Sequence, residues 1–191
     1  MQQPVLTYLE RLRDIALDQH GLVTFAQAIA SGIPQPQLAQ LVARGRIDRI
    51  AHGVYRIPQV PETPYDLYHR AVLWTGVPEA CLSHETALLA WDISDINPES
   101  IHLTVGSKRR LRRAGGQHYI IHHEDIEPEH ISWWQGIPIV DIPTSVRQCI
   151  DWGIPSYIIS QALDRGKKTG GLLVSEIEIL SERLAQRDNG K

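Results

Sequence analysis

Apolar residues recur along this chain with two periods, and the switch between them marks its parts. From Pro4 to about Gln19 the spacing is helical, with Val5, Leu9, Leu12, Ala16 and Leu17 on one face, which predicts an amphipathic first helix. After Gly21-Leu22-Val23, Thr24 stands where an N-cap hydroxyl accepts from free backbone N–H groups, opening a short helix through Ser31 with Phe25, Ala28 and Ile29 inward. Gly32-Ile33-Pro34 stops it, because glycine takes the left-handed turn conformation and proline has no N–H to continue a helix. A further helix starts near Gln35, with Pro36 in its first turn and Leu38, Leu41 and Val42 as its inward stripe, and Gly45 ends it. From Arg46 to Ile57 the pattern becomes that of two short strands around a His52-Gly53 turn, with Ile47, Ile50, Val54 and Ile57 closing a small core.

Pro58, Pro61 and Pro64 then make a stiff, extended connection, and the domain boundary is placed there: residues 1–60 as one domain, 61–191 as the other. In the second, helices are expected over Tyr65 to Thr75, closed by Gly76, and from a Ser83 cap over His84 to Trp91. Asn97-Pro98 precedes a strand at Ile101 to Val105. A second strand runs from Gln117 to His123, with Tyr119 and Ile121 on one side and His118, Ile120 and His122 on the other. Ile131 to Val140 reads as a hairpin around Gln135-Gly136. Three helices follow: from Pro143 or Thr144 to Trp152, from Ser156 to about Lys168, and from Ser175 to Gln186. The fold class is α/β (α+β), an N-terminal winged helix-turn-helix followed by a mixed α/β C-terminal domain.

The winged element carries the clearest chemistry. Gln35, Gln37, Gln40 and Arg44 stand on the polar side of its second helix, and long amides and a guanidinium suit base edges and phosphates in a major groove. Arg46, Arg49 and Arg56 are expected to reach phosphates from the wing. Six arginines stand against four carboxylates over residues 1–60, and four of the six lie between Arg44 and Arg56. The alternatives are a helix-turn-helix that serves only as a protein-docking module, and a Gln37/Gln40 face that is merely solvated. The whole chain has a formal net charge of −3, so DNA contact has to come from local patches. The densest of these is Lys108-Arg109-Arg110-Leu111-Arg112-Arg113, either a second DNA contact, a site for an acidic partner or an RNA, or a solvated hairpin tip.

Other chemistry fits poorly. A metal-dependent nuclease needs an acid two residues before a strand lysine, but Gly106, Arg165, Gly166 and Asn189 precede Lys108, Lys167, Lys168 and Lys191. Nucleotidyltransferases follow a Gly-Ser turn with a D-x-D about ten residues on, whereas Gly106-Ser107 is followed by Gln117-His118-Tyr119. His118 and His122 share a strand face about 13 Å apart at roughly 3.3 Å per residue, too far for one ion, and the histidines are expected to be satisfied by water or strand-edge contacts. His84-Glu85 lacks the frame of a nucleophile. No catalytic, cofactor-binding or metal-ligating residue is expected. Cys81 and Cys149 have no metal spacing and suit reduced thiols in a cytoplasmic protein. No signal peptide is read at the start, and no apolar run approaches the roughly 20 residues of a membrane helix.

Four segments together carry a resemblance. They are the wing with Gly53-Val54-Tyr55, the helix start Ser83-His84-Glu85-Thr86-Ala87-Leu88, the strand Ile101-His102-Leu103-Thr104-Val105 after Asn97-Pro98, and Gly136-Ile137-Pro138-Ile139-Val140 before Pro143-Thr144. In their order the chain resembles, over nearly its full length, the AbiEi antitoxins of type IV toxin-antitoxin and abortive-infection systems. The resemblance implies a winged domain that binds double-stranded operator DNA and represses its own operon. It also implies a C-terminal domain that opposes a nucleotidyltransferase-like toxin encoded alongside, and basic surface on both domains, so that Lys108, Arg109, Arg110, Arg112 and Arg113 would be the second DNA contact. The competing reading is a stand-alone winged-helix regulator whose C-terminal domain senses a ligand or partner.

Overall fold

The computed structural model describes residues 6–190, so Pro4 and Val5 of the expected first helix lie outside the described residues. The chain forms two compact units, Met1–Pro78 with Leu111–Gly115, and Glu79–Arg110 with Gly116–Lys191.

The first unit opens with α1 (Tyr8–Leu17). Thr7 caps it by a reciprocal pair of bonds in which its hydroxyl accepts from Glu10 N–H while the Glu10 carboxylate accepts from Thr7 N–H. Strand β1 (Leu22–Thr24) leads into α2 (Phe25–Ala30), capped by Thr24 as its sequence suggests, with Gln27 closing the capping box. The turn at Gly32 (φ 81°) delivers the chain to α3 (Gln35–Ala43), with Pro34 at its N-cap. Strands β2 (Asp48–Ala51) and β3 (Val54–Arg56) form the wing, and β1 adds a third antiparallel strand, giving the order β1-β3-β2. Leu12, Ala16, Val23, Ala28, Ile33, Leu38, Ile47 and Ile57 make one buried cluster beneath these elements.

Several inward assignments differ. Leu17 and Ile29 stand 56% and 41% exposed, Ile29 because only Ala28 of the six-residue α2 is wholly buried. Ile50 also faces solvent: the β2–β3 register slips between Arg49 and Ala51, so the bulge leaves Ile50 unpaired and turns it out. The compact unit also continues past residue 60, since α4 (Asp66–Thr75) packs on β1 and β3 and ends at Gly76 in the left-handed conformation.

In the second unit, β4 (Cys81–Leu82), α5 (His84–Ala90), β5 (Ile101–Val105) and β6 (Tyr119–His123) are followed by the hairpin β7 (Ile131–Trp134) and β8 (Ile137–Val140). The sheet order is β6-β5-β4-β8-β7. Gln135 and Gly136 both have positive φ, as a two-residue hairpin turn matched to strand twist requires. Strands β5 and β6 are parallel, not a hairpin, so the arginine run lies on a crossover rather than at a hairpin tip. Helices α6 (Ile142–Trp152), α7 (Ser156–Thr169) and α8 (Val174–Asn189) bury Val146, Ile150, Ile159, Ala162 and Leu180 in a cluster with Leu88 and Ile93.

Candidate nucleic-acid interface

Helix α3 divides by face. Leu38 is fully buried and Leu41 and Val42 pack against the same cluster, which fixes the helix on the unit. Gln35, Gln37, Gln40 and Arg44 are exposed, as are Arg46 and Arg49 on the approach to the wing and in it. Among the described residues, none of these six side chains has a hydrogen bond or ion pair with another. Between Gln35 and Arg56 the sequence contains a single carboxylate, Asp48, so the exposed Arg44, Arg46 and Arg49 meet little neutralising charge along this stretch. A solvated amide and guanidinium surface on a helix fixed by its apolar side can meet base edges and phosphates without first breaking internal bonds.

Arg56 is a correction to the expected set. It lies on the central strand of the sheet and is only 8% exposed, with its guanidinium donating to His20 O, Val60 O and the Asp66 carboxylate. A Cβ on Gly21 would stand 3.0 Å from its guanidinium carbon, so Gly21 leaves room for the arginine to fold inward. The acid at Asp66, just beyond the proline segment, was the only hint of this partner in the sequence.

The basic run is divided in its roles. Arg109 donates through Nη2 to Glu79 at 3.0 Å, and this hydrogen bonding holds the Glu79 carboxyl below its usual range. Arg113 donates to Trp74 O at 2.8 Å, at the C-terminal end of α4. Lys108, Arg110 and Arg112 are exposed and form no hydrogen bond or ion pair with other described residues. Lys108, Arg109 and Arg110 belong to the second unit, Arg112 and Arg113 to the first.

Sequence reasoning missed a buried polar cluster in the second unit. His84 and His122 stack with ring centroids 3.5 Å apart, His102 Nδ1 lies 3.0 Å from His122 Nε2, and the Trp152 ring stands edge-on to all three. Burial pushes the imidazoles down, His84 to about 2 and His102 and His122 to about 4, so all three are neutral near pH 7. The expectation that these histidines are satisfied by water or edge contacts is thus corrected for His84, His102 and His122. His84 Nδ1 lies 3.0 Å from the Ser83 hydroxyl, and both residues are buried. No group of three or more His, Cys, Asp or Glu placed to hold a metal ion occurs among the described residues. His102 is buried because β5 lies inside the sheet, between β6 and β4, and both its faces are covered.

Residues 10–58 match the family described as transcriptional regulator, AbiEi antitoxin. Among solved structures, the protein RV2827C from Mycobacterium tuberculosis is similar over 97% of this chain and 76% of its own, with a TM-score of 0.54 and 14% sequence identity, a likeness of fold. No curated protein matches. No helix among the described residues is long and apolar enough to cross a membrane. Residues 10–58, which hold the helix-turn-helix and the wing, are thus the part of this chain that is similar to the AbiEi antitoxin transcriptional regulators.

Proposed function

We propose that the chain is a cytoplasmic, DNA-binding antitoxin that represses its own operon through the winged element and opposes a nucleotidyltransferase-like toxin through its C-terminal domain. One observation carries the DNA reading: the solvent-facing, internally unbonded row Gln35, Gln37, Gln40, Arg44, Arg46 and Arg49 on and beside a helix held by Leu38. Gln37 and Gln40 meet base edges, while Arg44, Arg46 and Arg49 meet phosphates. Lys108, Arg110 and Arg112 supply the second basic contact, with Arg109 and Arg113 holding the loop that carries them. The family of residues 10–58 supports the regulator reading.

Binding of the full chain to its own upstream DNA, against a scrambled fragment of equal length, tests this. Arg44→Ala with Arg49→Ala weakens binding and flattens its salt dependence by about 0.9 in log–log slope per lost phosphate contact. Unchanged affinity in that variant rules out the winged element as the reader. Co-expression with the product of the neighbouring gene tests the second half: relief of growth arrest supports an antitoxin, and the lack of any such toxin leaves a stand-alone regulator.

A further inference from the structure

The sheet of the second unit ends at β7, a short edge strand that carries none of the charges or prolines with which sheet edges are commonly blunted. Ile131-Ser132-Trp133-Trp134 contains no charge, no proline and no glycine, and Trp133 keeps 67% of its surface in solvent. The ladder fixes which backbone groups point outward. Asp141 N–H donates to His130 O at 2.9 Å, which makes His130 and Asp141 a hydrogen-bonded pair. Alternation along an antiparallel ladder then makes Ser132/Ile139 and Trp134/Ile137 the next such pairs. Ile131 and Trp133 therefore turn their N–H and C=O away from β8. Pro138, opposite Trp133, fits this position, which asks for no donor towards β7. The Ile131 N–H is taken by Pro128 O, whereas Trp133 presents both its amide N–H and its carbonyl at the open edge.

We propose that β7 is the pairing edge for a second copy of this chain, the two β7 strands running antiparallel about a two-fold axis at Trp133. Each Trp133 N–H donates to the other's C=O, and the two indoles lie side by side on the same face of the joined sheet. The occupant follows from the strand itself. A two-fold axis at Trp133 sets Trp133 opposite its own copy and Ser132 opposite Trp134, so no like charges face each other across the joined strands. Pairing β7 with β6 of another copy would be head-to-tail, and would lead to rings or open chains rather than a two-fold dimer. Two backbone hydrogen bonds and one indole pair make a small contact, so the dimer belongs to the weak class, with dissociation constants on the order of micromolar.

Sedimentation velocity of the full chain from about 1 to 200 µM brackets that range, and the expected result is a concentration-dependent monomer–dimer equilibrium. Trp133→Lys places like charges across the axis and Trp133→Pro removes the outward donor while leaving the β8 ladder intact, so both remain monomeric at the top of the range. Far-UV circular dichroism and thermal midpoint check that the variants are folded. Trp133→Cys, with Cys81 and Cys149 both buried, forms a covalent dimer under mild oxidation faster than a control Ser160→Cys on exposed α7. A wild-type chain that stays monomeric throughout, a dimer indifferent to both edge variants, or equal cross-linking at positions 133 and 160 overturns the proposal.

Discussion

Arg56 reaches across the proline segment to the carboxylate of Asp66, and this pair ties the central strand of the winged sheet to α4. The arginine also donates to His20 O and Val60 O, both at 2.9 Å, so one guanidinium holds three separate stretches of backbone and side chain. At Asp66, burial works to raise the carboxyl, but the bonds from the Thr63 side chain and backbone, together with Arg56, outweigh it and leave it lowered.

Removing Arg56 leaves the half-buried Asp66 carboxylate without its cation, and removing Asp66 leaves the buried guanidinium without its anion. Arg56→Ala is expected to destabilise the first unit by about 3 kcal/mol, read as a lower urea midpoint. If Arg56 acts in the fold and not on phosphate, the variant retains operator affinity and salt slope at temperatures where it is folded. Because the Asp66 carboxyl is lowered on folding, its contribution is present above the ordinary carboxylate range and fades as pH falls through the folded value. Asp66→Asn removes that acid-side dependence.

On the proposed reading, the exposed row on and after α3 divides into residues that meet base edges and residues that meet phosphates. Gln37→Ala is expected to reduce the preference for operator over scrambled DNA by about tenfold, the value of one lost amide–base contact. Its salt slope stays the same. Arg49→Ala, by contrast, weakens both DNAs alike and lowers the slope by about 0.9. Fluorescence anisotropy on both fragments at several salt concentrations distinguishes the two patterns, and a Gln37→Ala variant with unchanged preference assigns Gln37 to a solvated face.

Gly76 accommodates Arg113. It has φ of 63°, and a Cβ there would collide with the Arg113 guanidinium, which turns in to donate to Trp74 O. Gly76→Ala is therefore expected to cost about 1–2 kcal/mol for the left-handed backbone alone, plus the displacement of Arg113. In an Arg113→Ala background only the backbone part remains, so a double-mutant cycle in urea isolates the clash. Equal costs in both backgrounds would mean that the guanidinium is not held against Gly76.

Much of this architecture is legible from local rules. The Thr24 cap, the Gly32-Ile33-Pro34 stop and the Gln135-Gly136 turn each specify conformation within a few residues, and the structure has them where the pattern places them. The partner of a side chain is a different matter. Arg56 has the same place in the alternation as an arginine facing solvent, and only Asp66, ten positions on, distinguishes the two. The β5–β6 pair looked like a hairpin because two short strands flank a glycine-containing loop, and nothing local distinguishes a parallel crossover from a tight return. His84, His102 and His122 come from three separate elements, so their stack exists only in the tertiary fold.

That stack gives the protein an acid limit with a definite sign. In the unfolded chain the three imidazoles take up protons around pH 6.5. In the fold, burial keeps His102 and His122 neutral down to about 4 and His84 to about 2, with mutual repulsion of the rings adding to the effect for His84 and His122. Glu85, 3.9 Å from His102 Nε2, offers little counter-charge in the acid range, since burial raises its own carboxyl. Between pH 6.5 and 4 the unfolded state therefore binds more protons than the folded one, and stability falls as pH falls, with a slope approaching one proton per histidine. Thermal midpoints measured from pH 7.5 to 4.5 should drop by several degrees, and His122→Gln should flatten the decline by removing one titrating ring. A midpoint independent of pH across that window would mean that the three rings are charged, or solvated, in the folded protein.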